Sequence, residues 1–280
     1  MEIKEIEKSI IKKYRKAIWS RFIDAINDFK MIQENDCIAV CISGGKDSFL
    51  LAKCMQEIKR HGKVDFELKF IVMDPGYSVE VKKLILINAK KLNIDIDIFQ
   101  TNIFDTVDTI SMDKPCYLCA RMRRGYLYDY AKKIGCNKIA LGHHFDDVIE
   151  TVLLNVIYAG EMKTMMPKLK STNFKGMELI RPLYYVREND IINWTKYCNL
   201  NFINCACKFS ANENNDSKRV EMKNLIAQFR EKNSYIETNI MKSAFNVNLD
   251  SVIGYKKDGI KHNFIEVYDE LSDKNARNTE

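Results

Sequence analysis

Between residues 5 and 30 the apolar positions Ile6, Ile10, Tyr14, Ile18, Phe22, Ile26 and Phe29 recur every three or four residues. That spacing predicts one helix that lays a single stripe on the body of the protein. A short unbroken apolar run follows, Ile38 to Ile42, whose length and β-branched content predict a strand buried on both faces. After Ser48 the period returns to that of a helix, through Leu50, Leu51, Cys54, Met55 and Ile58. The same alternation continues with a strand over Phe66 to Met73, a helix over Val79 to Leu92 and a strand over Ile94 to Phe99. A helix running to about Ile134 and a strand from Lys138 to Leu141 come next. Strands and helices that alternate at these lengths predict right-handed crossovers and an α/β fold with a mostly parallel sheet flanked by helices.

Beyond Tyr158 the pattern loosens, and Gly160 to Gly176 is rich in Lys and Met. Order resumes at Arg181-Pro182-Leu183, with helices predicted over Arg187 to Cys198, Ser217 to Lys232 and Ile236 to Phe245. From about Lys256 the chain turns polar, and Asp273 to Glu280 is expected to be disordered. No internal repeat is visible.

At 280 residues and 46% hydrophobic content the chain can bury a sizeable core. No apolar run approaches the roughly 20 residues of a membrane span, and Met1 to Glu5 lacks a signal-peptide core, so a cytoplasmic protein with no membrane partner is expected. Nine cysteines in that setting predict reduced thiols, metal ligands or a cofactor site instead of disulfides. The net charge of +6, from 44 basic against 38 acidic residues, permits a polyanionic partner without requiring one.

The most informative stretch is Ser43-Gly44-Gly45-Lys46-Asp47-Ser48, between the first strand and the helix after it. A helix amino terminus has free backbone N–H groups and the positive end of the helix dipole, and two glycines let an anion approach without a Cβ in the way. Lys46 adds a mobile charge, and the two serines add hydroxyls, so the turn reads as a phosphate cradle. The spacing is neither a Walker A loop nor a dinucleotide fingerprint. The bland alternative is a glycine turn capped by Ser48. Ligands of parallel sheets bind beyond the carboxyl ends of the strands, which would bring Met73 to Tyr77 beside the turn, with the Val72 or Met73 backbone available to an adenine edge.

Three further segments carry candidate chemistry. Pro115-Cys116-Tyr117-Leu118-Cys119 runs into a helix on which Cys119, Arg123, Leu127 and Tyr130 share one face toward the core, aiming Arg123 at the site. Arg121 and Arg124 point elsewhere, as candidate phosphate contacts. Gly142-His143-His144-Phe145-Asp146-Asp147 follows another strand, and Asp147 with Glu150 has helix-cap spacing as well as the chemistry of a Mg2+ ligand. A late cluster, Cys205-Ala206-Cys207, joins Cys116 and Cys119. Four thiolates could close a zinc tetrahedron, whereas three could hold a [4Fe-4S] cube with one iron open. Cys37, Cys41, Cys54, Cys136 and Cys198 lie among apolar neighbours and read as small core residues.

The hexapeptide at Ser43 to Ser48 resembles the PP-loop of the ATP pyrophosphatases. Together with Cys-x-x-Cys followed by Arg-x-Arg-Arg-Gly, Leu-Gly-His-His-x-Asp-Asp, Arg-Pro-Leu and the late cysteines, it resembles the tRNA 2-thiocytidine synthetases, the TtcA-like family, over roughly Lys8 to Val252. That resemblance implies a PP-loop domain over 36–200 between an amino-terminal helical segment (1–35) and a part with the late cysteines and two helices (201–255), then a polar tail (256–280). It implies an enzyme that uses ATP and Mg2+ to adenylate O2 of a tRNA cytidine at position 32, with sulfur delivered through a three-cysteine [4Fe-4S] cluster. Ser43, Gly44, Gly45, Lys46, Asp47, Ser48, Met73 and Gly142 would then bind the nucleotide. Lys46, Arg123 and Asp147 would act at the reacting centre, and Cys116, Cys119 and Cys207 would hold the cluster. The implied partners are tRNA, ATP, a sulfur donor such as a cysteine desulfurase, and a second copy in a homodimer. Two positions depart from the family pattern: the late cluster is Cys205-Ala206-Cys207-Lys208 instead of Cys-x-x-Cys-Gly, so Cys205 competes with Cys207, and Phe145 replaces an arginine. A related tRNA 2-thiouridine synthetase, or a zinc-stabilised RNA-binding module that uses ATP as a switch, are the alternatives.

Overall fold

The computed structural model describes residues 1–104, 115–203, 218–266 and 268, with residues 115–118 as backbone. Six strands form the main sheet: β1 (Cys37–Ile42), β2 (Glu67–Asp74), β3 (Ile96–Gln100), β4 (Lys138–Ala140), β5 (Lys168–Lys170) and β6 (Glu178–Ile180). Their order is β3-β2-β1-β4-β6-β5, parallel except for β5, which runs antiparallel to β6 at the edge. The helices are α1 (Ile3–Lys8), α2 (Ser20–Asp28), α3 (Lys46–His61), α4 (Val79–Lys91), α5 (Pro115–Lys133), α6 (Phe145–Leu154), α7 (Glu188–Tyr197), α8 (Lys218–Lys232) and α9 (Ile236–Ser243). The α/β class with a mostly parallel sheet is as the alternating pattern predicts.

The central strand β1 is apolar throughout because both of its faces are covered. Ile38, Val40 and Ile42 of β1 point into a large core that also takes Phe49 and Met55 of α3, Ile85 of α4 and Trp194 of α7. Ala39 and Cys41 point the other way, into a smaller layer closed by Tyr128 and Ala131 of α5 with Ile139 and Leu179. The strand sequence therefore has no polar alternation to give away which side chain faces which layer.

The amino-terminal segment holds its predicted stripe, with Ile6, Ile10, Ile18 and Phe22 fully buried. It is not one regular helix: two π-helical turns, Ser9–Lys13 and Arg15–Trp19, meet at Tyr14 between α1 and α2. An inserted wide turn rotates the faces on either side of it, which no 3.6-residue template anticipates. Tyr14 uses its hydroxyl to donate to the Asn193 carbonyl (3.0 Å), and Trp194 Nε1 donates to Ser9 Oγ (3.1 Å), fixing the segment on α7.

Two other departures are strands. The Lys-rich stretch expected to be loose contains β5, paired to β6 through Leu169 opposite Leu179. The polar carboxyl-terminal stretch contains a hairpin, β7 (Gly254–Lys257) and β8 (Ile260–Asn263), turning at Asp258 and Gly259 with φ of 51° and 85°. Asp-Gly with both φ positive is the turn that suits a twisted hairpin. The predicted tail beyond Asp273 lies outside the described residues. Among the described residues no helix is long and apolar enough to cross a membrane.

Candidate nucleotide and catalytic site

β2 leaves β1 on one side and β4 lies on the other, so the strand order reverses between β1 and β4. A crevice opens beyond the carboxyl ends of strands at such a point. Here it is a cavity of about 340 Å³, walled by Ser43, Asp47 and Ser48 from the β1–α3 turn and by Met73 and Tyr77 from the end of β2. Arg123 and Leu127 of α5 and Gly142, His143 and Asp147 after β4 complete it.

The turn is built as the glycines require. Gly44 has φ +91°, and a Cβ there would lie 2.9 Å from Ile203 and 3.0 Å from Ile85. Ser48 Oγ donates to the Gly45 carbonyl (2.9 Å) and accepts from Ser43 N (3.2 Å), so the serine closes the loop on itself and leaves the amino end of α3 open toward the cavity. Gly142 lets the chain leaving β4 touch that same end: a Cβ would lie 3.0 Å from Asp47 C and Ser48 N.

Two carboxylates face the cavity. Asp47 is mostly buried, and its Oδ1 has no hydrogen-bond partner. Burial pushes its pKa above the usual carboxylate range, against the pull of His144 and Lys46. Asp147 accepts from His144 N (3.0 Å) through Oδ2, so it does cap α6, and Arg219 of α8 donates to its Oδ1 (3.0 Å). Burial works against its ionisation, but His144, His143 and the His144 N–H hold its pKa below the usual value. An unpartnered carboxylate oxygen beside a second ionised carboxylate fits a Mg2+ ion that takes its remaining oxygens from phosphates and water. His143, with an unpartnered Nδ1, is pushed down to about 4 by burial and stands neutral at pH 7.

Arg123 donates to the Tyr77 hydroxyl (2.9 Å) and lines the cavity, one turn along α5 from the buried Cys119. Leu127 follows on the same face, and Tyr130 stacks on Phe99 with centroids 4.0 Å apart. Arg121 and Arg124 do not line the cavity. The shared helix face is thus as the spacing predicts. The Cys116 side chain, Cys205 and Cys207 lie outside the described residues.

Lys46 stands apart from the cavity wall. Its Nζ bonds Glu188 Oε1 (3.1 Å) and Asp47 Oδ2 (3.3 Å), and Glu188 Oε2 also accepts from Lys223 (2.5 Å). Burial opposes the charge on Glu188, but Lys223 and Lys46 hold its pKa down at about 2. Glu188, Arg219 and Lys223 carry no local signal in the sequence, because they reach the site from α7 and α8, far along the chain from the glycine turn. Phe145, at the departure from the family pattern, is buried, and the Arg187 guanidinium lies 4.0 Å over its ring.

A reversed strand order, a glycine turn at a helix amino end and paired carboxylates define a nucleotide-binding protein of the α/β class. A family model for the PP-loop domain matches residues 17–229. A protein of Pelobacter propionicus named tRNA-cytidine(32) 2-sulfurtransferase is 34% identical over 240 residues, covering 84% of this chain and 87% of the relative. One of the same name from Geobacter metallireducens is also 34% identical, over 84% and 91%. Another, from Neisseria meningitidis serogroup C, is 42% identical over 188 residues, 65% of this chain and 57% of that relative, so the match spans little more than half of the latter's length. The chain belongs to the PP-loop family that these relatives share. Among solved structures the U34-tRNA thiolase NcsA from Methanococcus maripaludis, determined with its [4Fe-4S] cluster, superposes with a TM-score of 0.66 at 20% identity, over 85% of this chain and 80% of that one, a likeness of fold.

Proposed function

We propose that this protein is an ATP-dependent tRNA sulfurtransferase that adenylates O2 of the cytidine at position 32 and exchanges it for sulfur, giving 2-thiocytidine. The observation that carries this is convergence on one cavity: the phosphate-binding turn, Asp147, and Arg123, one helical turn from Cys119.

The chemistry follows from what those groups do. A cytosine carbonyl oxygen is a poor leaving group, so O2 attacks the α-phosphate of ATP and pyrophosphate departs. Free N–H groups at the amino end of α3 and the Lys46 ammonium stabilise the charge that develops on the leaving phosphates. Asp47 and Asp147 would hold Mg2+, whose charge would offset that of the phosphates, and Met73 borders the adenine. Arg123, fixed by Tyr77, lies against the reacting base. His143, neutral and buried, adds no charge of its own. Cys116 and Cys119 are three residues apart on a helix and so share a face, which suits two ligands of one cluster, with Cys207 as the third. When bound, that [4Fe-4S] cluster supplies the sulfur that replaces the adenylated oxygen. A cysteine desulfurase as sulfur donor, a cytoplasmic setting and a homodimer belong to the same proposal.

Nucleoside mass spectrometry on tRNA from cells lacking the gene tests it. Loss of 2-thiocytidine is expected; loss of 2-thiouridine with 2-thiocytidine retained would overturn the choice of base.

A further inference from the structure

Two cysteines that the site does not use touch at the opposite end of the sheet. Cys37 opens β1 and Cys136 lies two residues before β4, and their Sγ atoms are 3.2 Å apart. Non-bonded carbon atoms rest about 3.5–4.0 Å apart, and sulfur is larger, so the two thiols are pressed together more closely than simple packing asks.

The backbone on both sides is clamped. Cys37 N donates to Asn137 Oδ1 (2.8 Å), Asn137 N donates to the Cys37 carbonyl (3.0 Å), and Ile38 pairs with Lys138 in the parallel ladder. Lys138 is itself buried and salt-bridged to Asp36 (2.6 Å), which also accepts from Asn137 Nδ2 (2.8 Å). The backbones that carry the two cysteines cannot move apart without opening the ladder.

The two thiols differ in access. Cys136 is 4% exposed, whereas Cys37 is half-buried at the sheet's amino end. Burial, with Cys37 as hydrogen-bond partner, pushes the Cys136 thiol up to about 12. An oxidant from solvent therefore meets Cys37 first, and Cys136 waits behind it, which is the arrangement of an attacking and a resolving cysteine.

We propose that Cys37 and Cys136 form a thiol-oxidation site, converted by a peroxide into a disulfide that ties β1 to β4. The Cys37 sulfur attacks one peroxide oxygen, the O–O bond breaks and water leaves, giving a sulfenic acid. The Cys136 sulfur then attacks the Cys37 sulfur, the S–O bond breaks and a second water leaves. The two thiols give up two electrons and two protons, and one hydrogen peroxide becomes two waters. The inference rests on this end of the sheet alone and does not depend on the reaction at the other end.

The test treats the full-length protein with stoichiometric hydrogen peroxide, blocks remaining thiols with N-ethylmaleimide and maps the digest by mass spectrometry without reductant. A linked Cys37–Cys136 peptide, lighter than the two thiol peptides by two hydrogens and abolished by dithiothreitol, is expected ahead of any other linkage. In Cys136→Ser the Cys37 sulfenic acid should persist long enough for dimedone to trap it. Oxidation should raise the melting temperature of the wild type and not of Cys37→Ser. Cys37 and Cys136 both recovered with N-ethylmaleimide while other cysteines oxidise would overturn the proposal, as would a dominant link from Cys136 to Cys41, the buried thiol of the same layer.

Discussion

Gly142 and Gly125 are both glycines near the cavity, and the space around them decides what each tolerates. A methyl group on Gly142 meets the backbone of Asp47 and Ser48 at 3.0 Å, where no side-chain rotation can relieve it. A methyl on Gly125, inside α5, meets nothing within 4 Å. Gly142→Ala should therefore cost about 1–3 kcal/mol by overpacking and raise the KM for ATP several-fold, because the strain is delivered to the turn that holds phosphate. Gly125→Ala should stabilise slightly, by up to about 1 kcal/mol of helix propensity. Thermal melts and ATP titrations of the two variants check this; equal behaviour would mean that the β4 exit does not bear on α3. Residue-level chemistry was legible where it was local. Ser43 to Ser48, Met73, Gly142 and Asp147 sit at strand ends that apolar runs announce, and Arg123 shares a helix face with Cys119 by simple spacing. Lys46 reads as a free charge in a turn, yet it is bonded to Glu188, 142 positions away, and no sequence period reports a partner at that range.

Besides α5, which lines the cavity, α7 and α8 meet the site from outside the sheet. Their contribution is a chain of charge, Lys46 to Glu188 to Lys223, with Arg219 on Asp147 and Glu150 beside it. Replacing Glu188 with Gln leaves two ammonium groups facing each other without the carboxylate between them, so Lys46 should lose its fixed position and ATP turnover should fall at least tenfold. The pH dependence separates this charge from mere shape. The folded pKa of Glu188, about 2, lies below its ordinary 4.5, so its stabilisation is fully present above pH 4.5 and is lost as pH falls through 4.5 toward 2. Urea melts should show the wild type losing about 1–2 kcal/mol more than Glu188→Gln across that window, an amount already reduced for the exposure of the lysines. His143 acts in a higher window: its folded pKa of about 4 lies below 6.5, so stability falls as pH drops from 6.5 to 4 in both proteins. At this scale β1, β2 and the helices that follow them were legible because each is long or strongly apolar, and the short β4 was legible because it leads into the Gly142-His143-His144 segment. β5 and β6 have three residues each, too few for a period to register, and the π-helical turns at Ser9–Lys13 and Arg15–Trp19 shift phase inside an otherwise regular stripe. The β7–β8 hairpin did leave a signal, Asp258-Gly259, that polarity alone obscured.

Over the whole molecule the modest positive charge is unevenly used. Lys12 and Lys16 are exposed on the amino-terminal segment, while Lys13 sits 3.5 Å over the Tyr197 ring and Arg21 is paired to Asp190 (2.9 Å). If the segment holds tRNA phosphates, Lys12→Ala with Lys16→Ala should weaken tRNA binding several-fold and flatten the log–log salt dependence by about 1–2, at roughly 0.7–0.9 for each phosphate no longer neutralised. Filter binding between low and moderate salt measures the slope, and an unchanged slope would return these lysines to a solvated face. The sheet order has another consequence, in time instead of space. Cys37 and Asn137 at the start of the β1–β4 pairing are 100 positions apart, and the cavity lies between those two strands. Closing so long a loop carries an entropy cost that nearby contacts do not, and such pairings form slowly. On the ribosome the glycine turn emerges with β1, α3 and β2 long before its facing wall has been synthesised. A nascent chain thus presents a phosphate-binding turn with no pocket, and nucleotide capture becomes a property of the finished sheet instead of the motif that marks it.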